Sequence, residues 1–213
     1  MGQGTAPEPD CALCPRLAAF RAANAAAYPD WFNAPVPSFG PPDARLLVVG
    51  LAPGLRGANR TGRPFTGDFA GDLLYATLLE RGLAEGVYAA RAGDGLTLSG
   101  CRITNAVRCV PPENKPTTGE INTCRTFLAA EIASLAHLRV ILALGKIAHD
   151  AVIRALGLRL SAHSFAHGAA HALPNGRRLF DSYHCSRYNQ NTGRLTPDMF
   201  RAVVDACVAV LDE

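Results

Sequence analysis

The sequence predicts a three-layer α/β/α sandwich around a four-stranded, mostly parallel sheet. Three observations carry the prediction: four short β-like runs, helical apolar patterns between them, and a Gly/Pro-rich loop directly after the first run. The runs are Leu46 to Gly50, Cys101 to Val107, Val140 to Leu144 and Leu179 to Tyr183. Between and after them, Gly71 to Arg81 places apolar residues at Leu73, Leu74 and Leu78, and Gly119 to Leu138 places them at Ile121, Phe127, Leu128, Ile132 and Leu135. Lys146 to Leu156 and Pro197 to Leu211 fit two further helices. Strands that alternate with helices pair in parallel through right-handed crossovers, which leaves helices on both faces of the sheet. No repeat, low-complexity tract or linker divides the 213 residues, so positions 1–213 read as one domain. A single core of this size buries roughly 70% of the unfolded chain's surface, so neither a metal nor a disulfide is needed merely to fold.

Composition narrows the class of function. The net charge of +3 is too small to argue for nucleic acid alone, yet Lys occurs only at Lys115 and Lys146, so Arg supplies most of the positive charge. Arg is the side chain suited to fork-like contact with phosphate. Met1 to Asp10 contains no apolar run resembling a signal peptide, and no later stretch is apolar and long enough to span a bilayer. Gly2 stands where a myristoylation signal begins, but Ala6 occupies the position that takes Ser or Thr. A soluble, cytoplasmic protein is expected, and most simply a monomer.

The most chemical stretch runs from Gly50-Leu51-Ala52-Pro53-Gly54 to Phe65-Thr66-Gly67-Asp68. It holds Arg56, Arg60 and Arg63, small residues that permit close backbone approach, and a lone carboxylate, a composition suited to a phosphate-bearing substrate. The second run reaches Asn105 and the last delivers His184. Parallel pairing gathers all three at the carboxyl edge of the sheet, where open α/β sheets bind ligands.

Seven cysteines in an intracellular chain turn attention from disulfides to metal or redox chemistry. Cys11 and Cys14 form a CxxC; Cys109 and Cys124 form a wider second pair. Four thiolates suit tetrahedral zinc or a cubane iron–sulfur cluster, and ligand softness alone does not separate the two. Cys101, Cys185 and Cys207 have no such pairing and are expected as buried thiols. His163, His167 and His171 would align as a zinc site on a helix, but Gly168 and the small residues around it argue against a helix there. His167 is expected instead to order a loop beside the pocket.

Gly50 to Gly54 together with Asn59-Arg-Thr-Gly-Arg-Pro-Phe-Thr-Gly-Asp68, Thr104 to Cys109, and His184-Cys-Ser-Arg-Tyr-Asn189 resemble the motifs of the uracil-DNA glycosylase superfamily, most closely its family 5. The likeness covers nearly the whole chain. It implies one structural 4Fe-4S cluster on Cys11, Cys14, Cys109 and Cys124, tying an N-terminal segment to the domain, and DNA containing uracil or other deaminated bases as partner. Two departures stand out. Relatives often read His-Pro-Ser where this chain has His184-Cys185-Ser186, and Ala52 offers no group to activate water where other branches place Asp, Asn or Glu.

The resemblance also implies the site. Gly50, Leu51, Ala52, Pro53, Gly54, Phe65, Asn105 and His184 bind the base, with Phe65 as the stacking platform. Asp68 supports the cationic sugar and the attacking water, His184 supports the departing base, and Asn105 reads the base edge. Arg60, Arg63 and Ser186 are expected to contact phosphate; Arg187 or Tyr188 is expected to fill the gap left by the flipped base. The expected activity is monofunctional hydrolysis of uracil from DNA. The alternatives are the same fold specialised for hypoxanthine or ethenocytosine, and a catalytically silent iron–sulfur binder of damaged DNA.

Overall fold

A computed structural model describes residues 4–213; Met1 to Gln3, and with them Gly2, lie outside the described residues. The chain forms α1 (Pro15–Ala27), β1 (Leu46–Gly50), α2 (Ala58–Thr61), α3 (Phe69–Glu80), β2 (Ala84–Glu85), β3 (Thr97–Leu98) and β4 (Cys101–Asn105). It continues with α4 (Thr118–Ser134), β5 (Val140–Leu144), α5 (Lys146–Ala155), β6 (Ala170–Ala172), β7 (Arg178–Ser182), α6 (Arg187–Asn191) and α7 (Pro197–Asp212).

The central sheet has the order β4-β1-β5-β7-β6. Its first four strands are parallel, with Leu46 opposite Cys101 and Val140, and Val140 opposite Arg178. All five residues of β1 and of β5 are buried, as expected of strands covered on both faces. The expected four strands are therefore present, and a fifth joins them. β6 runs antiparallel along β7 as a three-residue edge strand, Ala-His-Ala, too short and too polar to show an apolar run. The second expected strand ends at Asn105, but its chain stays alongside β1 through Ala106 N–H to the Gly50 carbonyl and Val107 N–H to the Leu51 carbonyl. β2 and β3 form a separate two-stranded ribbon.

Alternating side chains of β1 divide the core. Leu46 and Val48 face a cluster with Leu74, Leu78, Phe200 and Val204 of α3 and α7, whereas Leu47 and Val49 face Leu128, Ile132 and Val152 of α4 and α5. Each such aliphatic side chain, fully withdrawn from water, contributes about 1.5–3 kcal/mol. A third cluster joins Leu17 of α1 to Val107, Cys109, Cys124 and Phe127. α1 has no apolar stripe, since its buried residues are Leu17, Arg21 and Asn24. Among the described residues no helix is long and apolar enough to cross a membrane.

Candidate active site

The carboxyl ends of β1, β4 and β7 open into one cleft of about 290 Å³, at the small end of ligand pockets, and it is lined by Leu51, Ala52, Gly54, Phe65, Asp68, Asn105 and His184. Gly50 closes its floor from below. A Cβ there would lie 2.5 Å from Cζ of Phe65 and would collide with Oδ1 of Asn105, so only glycine lets the ring and the amide meet over the strand end. Phe65 and His184 stack with ring centroids 5.8 Å apart and planes 29° from parallel. Phe65 holds a left-handed backbone at φ +52°, a conformation that costs a non-glycine residue about 1–3 kcal/mol.

Asn105 is 2% exposed, and its Oδ1 has no hydrogen-bond partner among the described residues. Asn105 lines the cleft, and a buried amide oxygen left unpaired there costs about 1–3 kcal/mol unless a ligand supplies a donor. Pro53 is buried beneath the loop rather than on the cleft wall.

Asp68 is the N-cap of α3, its Oδ1 accepting from the Gly71 N–H at 3.2 Å. Its Oδ2 faces Gly57, where a Cβ would approach to 2.5 Å. Burial raises the carboxyl above its ordinary range, opposed by the N–H groups of Gly71 and Ala70. Burial also lowers His184 to about 4, so its imidazole is neutral at physiological pH. Side-chain amides stiffen the His184 loop, where Cys185 follows the histidine. Asn189 Nδ2 donates to the His184 carbonyl at 2.8 Å, and Gln190 Nε2 to the Cys185 carbonyl at 2.7 Å.

The expected phosphate contacts divide. Arg60 is exposed at the end of α2. Ser186 and Arg187 line the cleft; the Ser186 hydroxyl caps α6 by accepting from Asn189 N–H, and the Arg187 guanidinium lies 5.1 Å from the Phe69 ring centre. Tyr188 is 70% exposed beside them. Arg63 corrects the expectation: it is 6% exposed, with both terminal nitrogens on Asp94 at 2.7 and 2.8 Å and Nε on Thr66 at 2.7 Å, so none of its donors faces solvent phosphate.

Sequence reasoning missed Asn114, which reaches the mouth of the cleft. It follows Glu113 in a pair of left-handed residues at φ +54° and +57°. Arg16 pins this turn, donating to the Lys115 carbonyl at 3.0 Å and holding Glu120, which caps Thr117 at the start of α4. The Pro111-Pro112-Glu113-Asn114 composition signals a turn, but only tertiary packing brings it to the cleft.

Cys11, Cys14, Cys109 and Cys124 line one small cavity with Leu17, Val107 and Phe127. Arg21 donates to the Cys109 sulfur at 2.8 Å and the Arg108 N–H to the Cys124 sulfur at 3.3 Å. Four thiols that line one cavity, two of them receiving N–H donors that favour thiolate, fit a sulfur-ligated group. Cys101, Cys185 and Cys207 are buried in the core. Of the histidines, His171 Nε2 meets Asp181 at 2.9 Å, and His167 Nδ1 accepts from Tyr183 N–H at 3.1 Å. His167 thus bonds to the residue preceding His184. Both ring nitrogens of buried His149 face oxygens, Asp181 Oδ1 and the His163 carbonyl, each at 2.7 Å; burial, the largest single influence, lowers its pKa, but the Asp181 carboxylate and the His163 carbonyl together outweigh it and raise the pKa. The segment from His163 to His171 is a loop running into β6.

A parallel sheet whose strand ends gather an aromatic ring, a side-chain amide, a neutral imidazole and a buried carboxylate in one cleft is arranged as a hydrolase site. Residues 37–207 match the profile of the Uracil DNA glycosylase superfamily, and the chain belongs to that superfamily, in its type-5 branch. It is 50% identical over 200 residues to the Type-5 uracil-DNA glycosylase of Thermus thermophilus, covering 91% of this chain and 90% of that protein. To the Type-5 enzyme of Mycobacterium leprae it is 44% identical over 211 residues (93% and 92%), and to that of Pyrobaculum aerophilum 39% over 204 residues (94% and 88%).

Proposed function

We infer that the chain is a monofunctional DNA glycosylase that flips uracil out of DNA and hydrolyses its N-glycosidic bond, opening base excision repair. The observation that carries this reading is the unpartnered Oδ1 of buried Asn105 in the same cleft as Phe65 and His184. Uracil N3–H supplies the donor that this oxygen lacks, and the amide N–H₂ complements O4.

As the C1′–N1 bond breaks, electron density moves onto the base and positive charge onto the sugar; water then adds its oxygen to C1′, and the proton it loses balances the one the released uracil anion takes up. Neutral His184 donates to O2 as negative charge develops there. Ionised Asp68 faces the opposite end, supporting the cationic sugar and orienting the water. Asn114, which also lines the cleft, adds a second side-chain amide to it. No lysine lines the cleft among the described residues, consistent with hydrolysis without strand cleavage. Extruding the base costs roughly a few kcal/mol of unstacking, offset by stacking on Phe65, by Tyr188 or Arg187 in the vacated gap, and by phosphate contacts from Arg60 and Ser186. Cys11, Cys14, Cys109 and Cys124 would hold one structural 4Fe-4S cluster, which supplies cross-linking rather than chemistry at the cleft.

The test is a panel of oligonucleotides carrying uracil opposite each base, hypoxanthine or ethenocytosine. Uracil release that leaves an alkali-labile abasic site, with no strand break before alkali, is the expected result. Release of hypoxanthine or ethenocytosine in preference to uracil transfers the reading to the wider site that Ala52 leaves open, and binding without release of any base overturns it.

A further inference from the structure

Arg63 is conspicuous once removed from the phosphate contacts. It lies in the interior, within 5.2, 5.5 and 5.8 Å of the ring centres of Phe39, Tyr75 and Tyr88. Its partner Asp94 is equally committed, accepting from Arg63 and from the N–H groups of Ala89 and Leu96, and these bonds hold its carboxyl far below the usual range. None of Arg63, Tyr88 and Asp94 lines the cleft.

The network ends on the two peptide planes that flank Phe65. Arg63 Nε donates to the Thr66 hydroxyl, which donates to the Pro64 carbonyl at 3.1 Å, and the Tyr75 hydroxyl donates to the same carbonyl at 2.6 Å. The Phe65 carbonyl accepts from the Tyr88 hydroxyl at 3.2 Å and is seated over Gly71, where any Cβ would strike it. The Pro64 carbonyl fixes the plane before the Phe65 Cα and the Phe65 carbonyl fixes the plane after it. Together they hold the left-handed backbone, and so the direction of the ring.

We propose that Arg63, Asp94 and Tyr88 are positioning residues for base excision: the ion pair and the Tyr88 hydroxyl hold Phe65 in its left-handed conformation and so set where its ring meets the base. The proposal rests on Phe65 being the stacking platform. A ring displaced by even an ångström mispositions the glycosidic bond against Asp68 and His184, a geometric loss that proximity arguments rate highly.

Tyr88→Phe removes one hydroxyl and keeps the half-buried ring; Arg63→Lys keeps the charge and removes the fork. In single-turnover excision at saturating uracil-DNA, each is expected to slow the reaction about three- to tenfold or more. Inhibition by free uracil should weaken by a similar factor, while the salt dependence of binding to undamaged DNA keeps its slope. The deciding measurement is a double-mutant cycle: in a Phe65→Leu background, with no ring to position, adding Tyr88→Phe should cost less than about twofold. Additive losses in the cycle, full activity in both single variants, or a flattened salt slope for Arg63→Lys overturns the proposal. If Phe65→Leu itself excises uracil at the wild-type rate, the stacking role fails first and the positioning role with it.

Discussion

Two side chains with opposite electrostatic needs share the cleft. Burial raises the Asp68 carboxyl and lowers His184 to about 4. The proposed mechanism needs Asp68 ionised and His184 neutral, so the excision rate should rise with pH through the elevated Asp68 pKa and then level off. His184 protonates only near 4 and leaves no limb near neutrality. A single-turnover pH profile checks this: a limb near the ordinary histidine value of about 6.5 would show that His184 is not the neutral donor described. Stability carries the opposite sign. Because folding favours protonated Asp68, its ionised form costs stability above the unfolded carboxyl's pKa. Asp68→Asn keeps an N-cap and removes that cost, so it should melt no lower than wild type at neutral pH. At this scale the motif residues and their strand-end placement were legible in the sequence. The burial of Arg63 was not, because a charge read from sequence is assumed to face solvent until a partner such as Asp94 is seen beside it.

The four main strands and the helices over them are legible because continuous apolar runs and 3.6-residue periodicity dictate them. What escaped has a shared cause. β6, α1 and the Asn114 turn carry few large apolar side chains, and long-range bonds place them: β7 pairing, the Cys109 and Cys124 contacts, and Arg16 on Glu120. The cysteine cavity joins α1, the strand end after β4 and α4, elements that share only a small apolar cluster. A cluster there would substitute for missing core. Freshly prepared protein should therefore contain about four irons per chain with matching sulfide. Cys14→Ser or Cys124→Ser should lose that iron and make α1 susceptible to proteolysis while the sheet persists. Stoichiometric zinc without iron or sulfide would refute the cluster.

For the molecule as a whole, the fold gathers groups from distant parts of the sequence into one cleft. Ala52 has no group to activate water, so the proposed mechanism assigns the sugar and water to Asp68 at the start of α3 and the departing base to His184 beyond β7. Single-turnover excision of uracil and of 5-fluorouracil by Asp68→Asn and His184→Ala tests this division most directly. Asp68→Asn should lose at least about a hundredfold on uracil with DNA affinity near wild type. The better leaving group should restore part of the His184→Ala rate, because less anion support is needed, and much less of the Asp68→Asn rate. Near-wild-type turnover by Asp68→Asn on both bases, or equal rescue of the two variants, would contradict the account.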